Sequence, residues 1–170
     1  VEISTIDELK QVLQNPTYFN ISPTTATVDF PSQASPFTQD FCITPNGVHH
    51  DLEVTVIPLG VARPGFDASY KVVYKNKGNQ LENANLTFAF DDNKMDFLTS
   101  TTTLSSQSLG VLAWNIGVVT PFQSGNIEVS FNLNSPMETP AVNAGDILYY
   151  TATINGLNSD ETPTDNVFTL

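Results

Sequence analysis

From residue 51 onward the chain alternates apolar and polar positions with a period of two, the pattern of strands that bury one face. "DLEVTVIPL" sets Leu52, Val54 and Val56 against Glu53 and Thr55, and "SYKVVYK" sets Tyr70, Val72 and Tyr74 against Lys71, Val73 and Lys75. "ANLTFAF" offers Leu86, Phe88 and Phe90, "VLAWNI" offers Leu112, Trp114 and Ile116, and "NIEVSFNL" offers Ile127, Val129, Phe131 and Leu133. "DILYYTATI" and "NVFTL" complete the series, and each run is bounded by Gly, Pro, Asn or Asp, the residues of turns. About seven strands with no long helical periodicity between them predict an all-β fold. The class expected is an immunoglobulin-like antiparallel Greek-key β-sandwich over residues 48–170.

Residues 1–47 follow another pattern. In "STIDELKQVLQ", Thr5 and Glu8 have capping-box spacing, and Ile6, Leu9, Val12 and Leu13 recur at helical spacing, so one short helix is expected there. "PTYFNISPTTATVDF" then reads as extended segments interrupted by Pro16, Pro23 and Pro31. Asn46-Gly47 is a turn signal, and the boundary is placed beside it: a small β-rich N-terminal segment and linker, 1–47, followed by the sandwich, 48–170.

Charge narrows the function classes. Eighteen acidic residues face six basic ones, a formal net charge of −12, which is opposed to the cationic footprint a nucleic-acid binder needs. An anionic membrane surface is disfavoured for the same reason, and no apolar run approaches the ~20 residues that span a bilayer, so membrane insertion is not expected. The chain begins at Val1 without the charged and apolar regions of a signal peptide, so it is expected to be a mature or excised piece. Its single cysteine, Cys42, has no partner for an internal disulfide and is expected to be a buried thiol between Phe41 and Ile43. Four of the six cations, Arg63, Lys71, Lys75 and Lys77, gather in "RPGFDASYKVVYKNKG". The three lysines share parity, so an unbroken strand sends them to one outer, solvated face.

The segments "FCITPNGVHHDLEVTVIPLGVARPGFDASYKVVYKNKGNQ", "DDNKMDFLTS", "SPMETPAVNAGDIL" and "DETPTDNVFTL" resemble a repeat-type domain of unknown function from large secreted proteins of the Bacteroidetes. The resemblance covers about residues 41–170, and "NPTYFNISPTTATVDF" resembles the closing strands of the prealbumin-like module that usually precedes that domain. Membership would imply export by the type nine secretion system, an extracellular or outer-surface location, and a fold near adhesion-type immunoglobulin-like repeats. The resemblance makes "KQVLQNP" a strand, against the helix its spacing suggests, and it brings no catalytic residues.

Candidate chemistry is sparse. The only histidines, His49 and His50, are adjacent, no Gly-x-Ser-x-Gly elbow is present, and neighbours on an extended chain diverge, so "HHD" reads as a solvated linker rather than a metal grip. Two acidic loops remain: "DDNKMD", with Asp91, Asp92, Asn93 and Asp96, and "NSDETPTDN", with Asp160, Glu161, Asp165 and Asn166. Hard oxygen ligands at short spacing suit Ca²⁺, and Asp160, Asp165 and Asn166 are the metal candidates, with turn formation the competing explanation. Paired carboxylates are too numerous to single out a glycosidase. Trp114 alternates with core positions, and one of the adjacent Tyr149 and Tyr150 must face solvent. A Lys–Asn or Lys–Asp isopeptide bond requires a buried amine, which an outward Lys71 or Lys75 does not offer. The expectation is a non-catalytic extracellular spacer or adhesion stalk that contacts neighbouring domains of its own polypeptide and needs no cofactor, calcium aside. The alternative is a β-sandwich module that binds glycans or a surface protein.

Overall fold

The computed structural model describes residues 2–3, 15–29, 31–33 and 36–170; the short helix or strand expected over 5–14 lies outside them. Two ribbons form in the N-terminal part: β1 (Glu2–Ile3) pairs with β3 (Ala26–Thr27), and β2 (Phe19–Ser22) pairs with β4 (Cys42–Pro45). A single 3₁₀ turn, Pro16–Tyr18, leads into β2. Cys42 lies on the exposed ribbon strand β4, so the burial expected for its thiol is corrected: among the described residues no layer covers this ribbon there.

The alternating region builds an antiparallel β-sandwich. One sheet has four strands in the order β5 (Leu52–Pro58), β6 (Asp67–Asn76), β11 (Ser124–Leu133), β8 (Met95–Ser100). The other has five, in the order β13 (Val167–Thr169), β12 (Thr151–Asn155), β7 (Glu82–Ala89), β10 (Val111–Val119), β9 (Ser106–Ser108). The inward residues are those the alternation selects. Leu52, Val54, Val56, Tyr70, Val72, Ile127, Val129 and Phe131 from the first sheet meet Leu86, Phe88, Leu112, Trp114, Ala152 and Ile154 from the second. Phe131 is a centre of ring packing, 4.7 Å from Phe90, 5.7 Å from Phe88 and 6.1 Å from Tyr150 by ring centroids.

Buried polar tips in this core find partners, as desolvated donors must. Trp114 Nε1 donates to Ser100 Oγ and to the Thr102 carbonyl at 3.2 Å, and the Tyr70 hydroxyl donates to that of Tyr150 at 2.8 Å. Tyr150 is buried while Tyr149 is exposed, as strand parity requires. Two strands escape the alternation. β8 is an edge strand with only Met95 fully buried, and β9 is exposed throughout, so neither carries a half-buried pattern.

Candidate functional site, a lysine enclosed by carboxylates

The register of β5 and β6 creates the site. Leu52 pairs with Asn76, so Asp51 and Lys77 are the next residues at the same end of the ladder. The Asp51 carbonyl accepts from Lys77 N at 2.7 Å and Gly78 N at 3.1 Å, continuing the pairing past the last strand residues. Asn76 Oδ1 then accepts from Gly78 N at 2.9 Å and turns the chain away. Gly78 is required by close approach: a Cβ there would lie 2.5 Å from the His49 carbonyl oxygen and 2.8 Å from Asp51 N.

The segment before β13 closes over this end. Asp165 lends its carbonyl to Val54 N at 3.0 Å, and His50 lends its own to Glu161 N at 2.9 Å. Asp160 is held by two backbone donors, Leu52 N on Oδ2 and Thr162 N on Oδ1, both at 2.8 Å. From the other side Asn15 Nδ2 donates to Asp51 Oδ2 at 2.6 Å, and the Tyr18 hydroxyl reaches the same oxygen at 3.5 Å.

Lys77 lies inside this enclosure. Its Nζ donates to Asp165 Oδ2 and sits 3.5 Å from Asp51 Oδ1 and 3.9 Å from Glu53 Oε2. Its side chain is 12% exposed and that of Asp51 0%, whereas Lys71, paired with Glu128 at 3.1 Å, is 34% exposed. The solvated face assigned to all three lysines is therefore corrected for Lys77. Parity places it on the outer side of β6, but residues 160–165 and Asn15–Tyr18 cover that side at this end of the sheet.

The electrostatics follow from the enclosure. Burial raises the Asp51 carboxyl above the ordinary carboxylate range; Asp165 and Asp160 add to the rise, and Lys77 opposes it. Burial alone would lower the Lys77 ammonium, but the hydrogen bond to Asp165 and the charges of Asp51, Asp165 and Glu53 outweigh it, leaving it above the ordinary lysine value. Tyr18 is likewise raised, by burial first and then by the charges of Asp51 and Glu161. Among the described residues, Asp51 Oδ1 and Asp165 Oδ1 are buried without a hydrogen-bond donor.

The linker reading of "HHD" is corrected as well. His49 Nδ1 meets Glu161 Oε1 at 2.6 Å, its Nε2 meets the Asn46 carbonyl at 2.8 Å, and its ring stacks on Tyr18 at 4.1 Å. His50 Nδ1 pairs with the buried Glu82. The two imidazoles do diverge, as an extended chain demands, but each ends on a carboxylate.

Of the calcium candidates, the fold brings Asp160 and Asp165 together and adds Asp51: one carboxylate oxygen of each lies within 4.8 Å of the others. Asn166 is buried, and its Oδ1 has no hydrogen-bond donor among the described residues. The donor set suits a hard cation, yet the Lys77 ammonium already provides positive charge there. In the other acidic loop, Asp91 Oδ1 accepts from Asn93 N at 3.2 Å and Asp91 Oδ2 pairs with Lys94 at 3.7 Å, while Asp96 belongs to β8, so turn chemistry accounts for Asp91. Asp51 and Lys77 are the residues of this candidate site that sequence reasoning missed. The available signal was the turn "NKGN" at the end of a strand, where other segments can cross over the outer face.

No protein-family model and no curated protein match the sequence. Among solved structures, the chain is similar to an inactive variant of a GH20 exo-β-N-acetylglucosaminidase from Vibrio harveyi, with 15% identity and a TM-score of 0.42. That match covers 71% of this chain but 17% of the enzyme, so the chain spans less than a fifth of that protein's length. It is also similar to BslA, a bacterial hydrophobin, with 11% identity and a TM-score of 0.45 over 72% of this chain and 92% of that one. A third likeness, to AvmM, which catalyses macrocyclization in alchivemycin A biosynthesis, has 13% identity and a TM-score of 0.37 over 69% of this chain and 86% of that one.

Proposed function

We propose that this chain is a non-catalytic structural module, an immunoglobulin-like Greek-key sandwich that acts as a spacer or adhesion stalk in a large extracellular or cell-surface bacterial protein. The observation that carries the reading is where the buried and half-buried ionisable groups go. Lys77, Asp51, Asp165, Glu82 and His50 tie β5, β6, β7 and the segment before β13 to one another, so these groups clamp one end of the sandwich. Fixed strand ends suit a part that holds distance. The partners of such a module are the neighbouring domains of its polypeptide, and no cofactor enters the reading.

The test is surface proteolysis of intact cells that express the protein natively, followed by mass spectrometry. Peptides from 48–170 should be released together with peptides of adjoining modules, and recovery only after lysis overturns the assignment. A second reading, a module that binds glycans or a surface protein, is favoured by the shallow groove between Pro58, Ala62, Ile147, Leu148 and Leu170, in which Ile147 is exposed. Saturable binding on a glycan array, lost in Ile147→Asp, would move the function to that groove.

A further inference from the structure

The enclosure holds the three groups that an amide-forming reaction needs: a primary amine, a carboxyl in direct contact with it, and a second buried carboxyl within reach of both. We propose that Lys77 Nζ and Asp165 Cγ become joined through an intramolecular isopeptide bond, with Asp51 as the proton carrier.

The geometry assigns the roles. Asp165 is the electrophile because its Oδ2 receives the Lys77 hydrogen bond while its Oδ1 has no donor among the described residues. Asp51 is the carrier because Asn15 anchors its Oδ2, while its Oδ1 has no hydrogen bond among the described residues and lies 3.5 Å from Nζ. Asp160 takes neither role, since Leu52 N and Thr162 N occupy its two oxygens. Glu53 is farther from Nζ, at 3.9 Å, and more exposed.

The step balances without an oxidant or activating group. The ion pair first exchanges a proton, Nζ to Asp165 Oδ2, which leaves an amine facing a carboxylic acid with no change of net charge. The nitrogen lone pair forms the C–N bond at Cγ, and the carbonyl electron pair moves onto oxygen, where protonated Asp51 donates. A proton from nitrogen passes through Asp51 to one hydroxyl oxygen, the C–O bond breaks with its electron pair as water departs, and the proton left on the remaining oxygen returns to Asp51. The ammonium and carboxylate have then become one amide and one water, and Asp51 ends in its starting state.

In bulk water such a condensation is unfavourable, because both ions are solvated and the partners are free. Enclosure removes much of that solvation, and fixed partners react with effective molarities of about 10⁵ M or more. Burial raises the Asp51 carboxyl, the direction that favours carrying the proton the tetrahedral oxygen needs, and its Oδ1 lies 3.5 Å from Nζ. The link would join the end of β6 to the segment before β13 and close the chain between residues 77 and 165 into a covalent loop. It stands whether the module is a spacer or a binder.

The test is the intact mass of the full chain purified under denaturing conditions, with fragmentation of its proteolytic peptides. The wild type should fall about 18 Da below its sequence mass, the loss of one water, and a branched peptide should join Lys77 to Asp165. Lys77→Met and Asp165→Ala should each have their own full sequence mass. Asp51→Asn should retain the near-ultraviolet dichroism of a folded Trp114 and yet remain unlinked. A wild type at its sequence mass overturns the proposal regardless of how any variant folds, and so does a water loss mapped to another pair of residues.

Discussion

Asp51 shows how one side chain's surroundings set its effect on stability. Its carboxyl is raised in the fold, by burial first, so its stabilising contribution is complete below the unfolded value of about 3.9 and is lost as pH rises through the folded value. The stability of the wild type relative to Asp51→Asn should therefore decline as pH rises from the ordinary carboxylate range through the raised folded value. Urea unfolding of both proteins at several acidic and neutral pH values checks this, and a difference that grows with pH contradicts it. Calcium tests the same cluster from another direction. Whether Lys77 supplies an ammonium there or is joined to Asp165, which removes one of the carboxylates, millimolar Ca²⁺ should leave the wild-type melting temperature unchanged; a rise abolished by Asp165→Ala would return the ion to these carboxylates.

At the scale of elements, most of the sandwich was legible because burial on one face writes a period of two into each strand. What was lost has physical causes. β10 carries a bulge between Asn115 and Gly117, with Gly117 at φ +75°, so the parity that buries Leu112 and Trp114 shifts, and Val119 is buried in place of a continued even series. β8 and β9 sit at sheet edges and show no clean alternation. The site was hidden for a related reason: parity says which side of a strand a residue occupies, not what crosses over it. Lys77 and Lys71 have the same parity and opposite environments. Two glycines separate conformational strain from close approach. Gly117→Ala has open space but a left-handed φ, a cost of about 1–2 kcal/mol. Gly78→Ala would press a Cβ against two backbone atoms of the His49–Asp51 stretch and should cost more. Denaturant unfolding of the two variants should rank them in that order, and equal stabilities would contradict the tight backbone packing at the site.

For the whole molecule, the question is what the N-terminal segment contributes. The main core cluster is built entirely from residues between Leu52 and Phe168. The segment reaches the sandwich through Asn15 and Tyr18 on Asp51, through Tyr18 stacked on His49, and through Phe19 stacked on Phe122 at 4.7 Å. Removal of residues 1–47 should leave a cooperatively folding 48–170 with native Trp114 fluorescence and a lower melting temperature. A truncated chain that fails to fold, or one that melts where the full chain does, would refute that division of labour.

All of this depends on Lys77 being an internal tie rather than a surface charge. The most direct measurement compares the unfolding free energies of Lys77→Met and Lys71→Met, since both lysines have a carboxylate partner and only one is enclosed. Losing the enclosed partner should cost about 3 kcal/mol or more, whereas losing the exposed pair should cost less than about 1 kcal/mol. Equal and small losses at the two positions would contradict the account.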